Sequence, residues 1–204
     1  MNFKINEIFD SIQGEGLFVG VPMNFIRFTE CNLQCRWCDT DFENGEILEL
    51  NEILSRLTKK WKWVSLTGGE PMLEENLHGL IKELREKEFK VFLETNGTIF
   101  DKEIFDECNF ISVDIKPPSS GNPIYDKKVI DYLFKNPGKS QLKVVIQDNQ
   151  DLEFFKGIYN EKYENWILQP EFSSMDKLDY EKMLKVIGKN VRIIPQIHKI
   201  LKVR

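Results

Sequence analysis

Short apolar, β-branched runs recur along this chain of 204 residues, each separated from the next by a stretch with helical periodicity. That alternation restricts the fold more than any other feature. The strand-like runs are 23–29, 63–67, 90–94, 110–114, 142–147, 166–169 and 191–194. Between them Leu77, Leu80, Ile81 and Leu84 trace the i, i+3, i+4, i+7 stripe of an amphipathic helix. Ile53, Leu54 and Leu57, then Ile130, Leu133 and Phe134, then Leu184 with Ile187, mark three shorter ones. Strands that read as apolar without alternation are buried on both faces, which means a parallel sheet with crossover helices. The expected class is α/β, with residues 1–204 as one domain, because no repeat, low-complexity tract or Ser/Gly linker divides the chain. A full eight-stranded barrel typically takes about 250 residues, so only a shortened one fits. Ligands in such folds collect at the carboxyl ends of the strands, which directs attention to loops 30–46, 67–72, 95–98, 114–123, 147–150 and 169–175.

Charge narrows the class of function. Lys and Arg number 28 against 33 Asp and Glu, a net charge of −5 with no long block of one sign. This argues against a bulk nucleic-acid binder. No apolar run approaches the roughly 20 residues of a membrane span. Glu7 and Asp10 break the basic-then-apolar form of a signal peptide. The expectation is a cytoplasmic protein with neither membrane nor nucleic acid as partner.

Cysteine placement points to the chemistry. Four cysteines occur, three of them within eight positions at Cys31, Cys35 and Cys38, with Cys108 apart. A disulfide framework would spread them, so the cluster reads as metal chemistry. Structural zinc prefers four ligands, usually as two paired clips, and here Cys108, His78 and His198 are remote in sequence. A thioredoxin-like redox pair leaves Cys31 unexplained. Spacing of i, i+4, i+7 also suits three small hydrophobes on one helix face. A [4Fe–4S] cluster normally takes four thiolates; three would leave one iron open to chelation by an amino acid's amine and carboxylate.

Cys-x3-Cys-x2-Cys, with Trp37 before the last cysteine, resembles the signature of the radical S-adenosylmethionine (SAM) superfamily. Thr67-Gly68-Gly69-Glu70-Pro71 ends the second core strand and is similar to the superfamily segment whose backbone edge meets the SAM amino group. Its two residues without Cβ are expected to let backbone approach a ligand. Within the superfamily, Ile5 through Gly16 with its Gln13-Gly14-Glu15-Gly16 ending, Phe25-Ile26-Arg27-Phe28, Cys38-Asp39-Thr40 and the run from Asp114 to Gly121 resemble the 7-carboxy-7-deazaguanine synthases. Gln169-Pro170 and Pro195-Gln196-Ile197-His198-Lys199 continue the likeness nearly to the end of the chain.

The resemblance implies a truncated radical-SAM β/α barrel. It implies ring contraction of 6-carboxy-5,6,7,8-tetrahydropterin to 7-carboxy-7-deazaguanine with loss of ammonia, on the route to queuosine and other 7-deazapurines. Cys31, Cys35 and Cys38 would hold a [4Fe–4S] cluster. SAM would lie among Trp37, Cys38, Asp39, Gly69, Asp114, Ile115 and Lys116, with Gln169, Pro170, Glu171 and Phe172 over its adenosyl part. The pterin would meet Ile12, Gln13, Gly14, Glu15, Thr67 and His198, with Arg27 on its carboxylate. Thr40 would bind a Mg²⁺ shared with substrate. The α-carboxylate of Arg204 would anchor the pterin's aminopyrimidine edge, the chain end being held by Ile200, Leu201 and Val203. Asp114-Ile115-Lys116 and Gln169-Pro170-Glu171-Phe172 stand where relatives commonly carry Ser-Pro-Lys and Gln-Pro-Met-Asp. An electron donor such as flavodoxin or ferredoxin and a homodimer are implied as partners. The rival expectations are a glycyl-radical-enzyme activase, which leaves Gln13 to Gly16, Arg27 and Thr40 without purpose, and a zinc-stabilised binding module.

Overall fold

The computed structural model describes residues 1–38, 40 and 45–204. Among these residues nine strands form one sheet: β1 (Asn2–Ile12), β2 (Pro22–Phe28), β3 (Glu46–Glu49), β4 (Trp63–Gly68), β5 (Lys90–Thr95), β6 (Phe110–Ile115), β7 (Ser140–Ile146), β8 (Trp166–Pro170) and β9 (Val191–Ile193). Their order is β3-β1-β2-β4-β5-β6-β7-β8-β9. From β2 through β9 the neighbours run parallel, while β1 lies antiparallel to both β2 and β3. The sheet stays open, with β3 and β9 at its edges. Seven α-helices among the described residues join it: α1 (Leu50–Arg56), α2 (Leu77–Glu86), α3 (Lys102–Glu107), α4 (Lys127–Lys135), α5 (Asn149–Ile158), α6 (Tyr180–Val186) and α7 (Ile197–Leu201).

All seven runs predicted as strands are strands. The expectation of strands without alternation needs correction, because the period of two separates their faces. On β6, Ile111, Val113 and Ile115 join the main core, with Val91 and Leu93 of β5 and Val144 and Ile146 of β7, under Leu80, Ile81 and Leu84 of α2. The intervening positions form the inner face, which is layered. Met23, Phe25, Phe92 and Phe110 make an aromatic floor with Trp63. By register Ser65 of β4 stands level with Phe25 and Phe92 of that floor, Glu94 with Ser112 further along, and Asp114 with Lys143. Arg27 pairs with Thr67 near the strands' carboxyl ends, where Gln169 also lies. Interior side chains stacked in layers are how barrel-type sheets fill.

Strands β1 and β3 were not foreseen. In β1, Phe3 and Ile5 face the main core whereas Phe9 packs on the floor. A register shift between Ile5 and Glu7 reverses the alternation, so neither half shows a sustained pattern. In α6, Met183 is the buried residue, and Leu184, expected inward, is 64% exposed.

Candidate active site

A cleft opens at the carboxyl ends of the strands and takes side chains or backbone from β1, β2 and β4 to β8. Ile12, Gln13, Gly14, Glu15, Arg27, Cys31, Cys35, Trp37, Cys38, Thr40, Thr67, Gly69, Asp114, Lys116, Gln169, Glu171, His198 and Arg204 all line it. The sequence separates these residues by up to almost the whole chain, and the sheet brings them together. Ile115, Pro170 and Phe172 are not among the lining residues. Ile115 faces the main core by alternation, Pro170 closes β8 opposite Ile146, and Phe172 lies beneath the Lys199 ammonium at 5.8 Å. Asp39 lies outside the described residues.

The cysteine loop is held from two sides. Glu70 N donates to Glu30 O at 2.6 Å and Gly69 N to Phe28 O at 2.9 Å, so the end of β4 is stitched to the start of the loop. A Cβ on Gly69 would stand 1.9 Å from Glu30 O. The glycine therefore allows close backbone packing at the start of the cysteine loop while also bordering the cleft. On the other side Arg36 N donates to Ser120 O at 3.0 Å and Asn122 Nδ2 to Gln34 O at 2.9 Å. All four cysteines are free thiols, Cys108 being buried away from the cleft. Burial pushes the Cys31 and Cys35 thiols up, and the Lys116 ammonium opposes that shift in both. Among the described residues, no three His, Cys, Asp or Glu side chains gather at the spacing of a single-ion cage. The donor set that does border the cleft is three thiols, the number a [4Fe–4S] cluster uses when one iron takes an outside ligand.

The loop after β1 enters the sheet's interior. Phe18 seats its ring against Trp63, Phe92 and Phe110 at 4.9, 5.1 and 4.6 Å. Leu17 N donates to Gln141 Oε1 at 2.7 Å, and Gln141 Nε2 donates to Ser112 at 2.8 Å. Gln13 is buried, donating to Glu94 Oε1 at 2.9 Å and accepting from Glu15 N at 3.0 Å. Gly14 leaves room for the His198 ring, which a Cβ would strike.

A line of buried charge crosses the cleft floor. Glu15 pairs with Lys143, Lys143 stands 3.3 Å from Asp114 Oδ2, and Lys116 donates to the same oxygen at 2.9 Å. Lys116 also sits 5.0 Å above the Trp37 ring. Burial alone would raise the Glu15 carboxyl, but Lys143 and Gln196 hold it down at about 2. Burial opposes the charge on Lys143 and Lys116 as well, and the facing carboxylates raise both above the ordinary lysine value. Glu70 shows the reverse balance: burial raises it despite hydrogen bonds from Thr95, Asn96 and Met72.

Arg27 is held at Nε by Glu7 Oε1 at 2.9 Å and stacks on Phe9 at 5.6 Å. Its two Nη groups have no hydrogen bond among the described residues. The chain end reaches the cleft rim, but Ile200, Leu201 and Val203 are exposed and do not hold it. Polar contacts do: Ile197 N to Gly14 O at 2.9 Å, Ser11 Oγ to Arg204 O at 2.5 Å, and Arg204 to Glu7 Oε2 at 2.5 Å. Glu94, Lys143, Gln141, Gln196 and Asn96 escaped the sequence reading. For Glu94, Gln141 and Lys143 the signal was present as polar residues at alternate positions of apolar strands.

The fold and the three-cysteine loop define a radical SAM protein, and the sequence pattern of the Radical SAM superfamily matches residues 25–115. The chain belongs to the 7-carboxy-7-deazaguanine synthase family. The synthase of Thermoplasma acidophilum is 38% identical over 97% of this chain and 96% of its own length. That of Aquifex aeolicus is 32% identical over 96% and 91%. A crystal structure of QueE from Escherichia coli shares the fold with a TM-score of 0.74, covering 97% of this chain and 95% of its own at 24% identity. Family membership implies a [4Fe–4S] cluster and SAM. Two acceptors suit such a guest: Asp114 Oδ1 and Gln169 Oε1 are buried with no hydrogen-bond partner among the described residues. Hydroxyl and amino groups of a nucleoside-bearing amino acid would supply the missing donors.

Proposed function

We propose that this chain catalyses the ring contraction of 6-carboxy-5,6,7,8-tetrahydropterin to 7-carboxy-7-deazaguanine with release of ammonia. The observation that carries this reading is one cleft bordered at once by the three thiols, by Gln13-Gly14-Glu15 and by Arg27. When bound, the reduced cluster and SAM supply a hydrogen-abstracting radical, the step that protein side chains cannot perform. Cys31, Cys35 and Cys38 hold the cluster. Asp114 and Gln169 accept hydrogen bonds from SAM, which Gly69, Trp37, Cys38, Lys116 and Glu171 enclose.

Arg27 orients the substrate. Its Nε is occupied by Glu7 and its face by Phe9, so the Nη edge is left to grip the pterin carboxylate in a two-pronged hydrogen bond. Ile12, Gln13, Gly14, Glu15, Thr67 and His198 flank the ring system, and the main-chain oxygen of Arg204 faces its N–H edge. Thr40 contributes one oxygen to a Mg²⁺ completed by substrate and water, in keeping with that ion's preference for oxygen and retained water. A one-electron donor such as flavodoxin or ferredoxin, a homodimeric state and a cytoplasmic setting complete the proposal. No described helix is long and apolar enough to cross a membrane.

The test is anaerobic turnover of the reconstituted enzyme with the carboxypterin, reductant, SAM and Mg²⁺. The expected result is a 7-deazapurine chromophore and ammonia in equal amounts, with SAM recovered intact. Stoichiometric cleavage of SAM without a deazapurine would overturn the reading.

A further inference from the structure

Lys143 has no part in the roles assigned above, yet it occupies the centre of the cleft floor. It lies within β7, where every residue is buried, and its side chain is 6% exposed. One ammonium there meets carboxylates from two distant parts of the chain. Glu15 belongs to the loop after β1 and is also held by Gln196 Nε2 at 2.7 Å. Asp114 ends β6, with Oδ2 3.3 Å from Lys143 and 2.9 Å from Lys116. A buried ammonium needs acceptors to replace its hydration, and two carboxylates supply them. The arrangement is complete at the Glu15 end and open at the other, where Asp114 Oδ1 has no partner among the described residues.

We propose that Lys143 is a positioning residue that locks Glu15 and Asp114 into one arrangement, so that pterin bound beside Glu15 and SAM bound beside Asp114 raise each other's affinity. The inference rests on the assignment of those two ligands to those two sides. Three charges in a close-packed interior have few alternative arrangements, so a ligand that orders one carboxylate orders the ammonium and, through it, the second carboxylate. The second ligand then meets a site with less freedom left to lose. Linkage requires the effect to be equal in both directions.

The experiment is titration calorimetry on the anaerobic holoenzyme with its cluster left unreduced, so that no turnover occurs. SAM affinity is measured with and without saturating 6-carboxy-5,6,7,8-tetrahydropterin, and iron content and thermal midpoint are checked for every variant. In the parent the pterin should tighten SAM about tenfold, within the usual range of site-to-site coupling. In Lys143→Met the factor should fall below about twofold, and Lys143→Arg, which still reaches both carboxylates, should restore most of it. If the methionine variant does not fold, Lys143→Gln replaces it, since its amide is too short to bridge both partners, and the same loss is expected. Equal weakening of the two separate affinities with the tenfold coupling preserved would mark Lys143 as a mere strut and overturn the proposal, as would a parent with no coupling. A parent that binds SAM but not the pterin would instead overturn the assignment of the substrate.

Discussion

Glu15 carries a displaced carboxyl at the centre of the cleft, and its stability consequence has a definite sign. The ordinary value of about 4.5 falls to about 2 in the folded chain, because the Lys143 and Gln196 contacts outweigh burial. The unfolded chain therefore takes up this proton first as pH falls. The pair's contribution is full above pH 4.5 and drains away as pH drops towards 2. Urea unfolding from pH 7 to 2 should show the parent losing stability across that window more steeply than Glu15→Gln. At neutral pH the variant should be about 3 kcal/mol less stable, since a buried ammonium loses one of its partners. Equal slopes would remove Glu15 as the source. Among the cysteines, Ala at position 31, 35 or 38 should each abolish iron loading on reconstitution. Cys108→Ala should load normally, losing about 1 kcal/mol for the small cavity. Cys108 is 2% exposed, and burial pushes its thiol up to about 12, well away from the thiolate a metal requires.

Between β4 and the cysteine loop, the decisive contact is backbone against backbone. Gly69→Ala would place a methyl 1.9 Å from Glu30 O, and neither side of that contact is a flexible side chain. The loop ahead of Cys31 must shift, so iron retained per chain after desalting should fall at least severalfold while far-ultraviolet circular dichroism stays unchanged. Full iron retention would show that the loop adapts without cost. The same region shows what sequence can and cannot convey. Cys31 to Cys38 and Gly68 to Pro71 are legible because their chemistry is contained in a few adjacent residues. The Glu15–Lys143 pair spans 128 positions, so although Lys143 stands out among the apolar residues of β7, nothing local in the chain joins it to Glu15. Strand β1 was obscured by its own irregularity, since the shift after Ile5 turns Glu7 and Phe9 towards Arg27 and Phe25. Helices α3 and α7 are too short, at six and five residues, for a periodic stripe to establish itself.

Across the whole molecule, apolar packing and polar function divide one sheet by height and by face. Helices cover the outer face, an aromatic floor sealed by Phe18 closes the lower interior, and the upper interior is lined by ionised and amide side chains. An interior of that kind is only half a core. Its upper layer keeps unmatched acceptors at Asp114 and Gln169, so the free protein holds part of its hydrogen-bonding capacity in reserve for its ligands. Binding that satisfies them acts on the folded state alone and must therefore raise stability. At a ligand concentration a hundred times the dissociation constant the gain is about 2.7 kcal/mol. For a chain of this length each kcal/mol moves the midpoint by about 2–4 °C, so SAM should raise the melting temperature of the unreduced holoenzyme by about 5–10 °C. Asp114→Ala removes one of those acceptors and should lower the shift at the same SAM concentration, because affinity falls. S-adenosylhomocysteine, with the same hydroxyls and amino group but no sulfonium charge, separates hydrogen bonding from charge attraction. If it shifts the parent about as far as SAM does, the acceptors carry the stabilisation; if it shifts nothing, the sulfonium does, and the unmatched oxygens have another purpose.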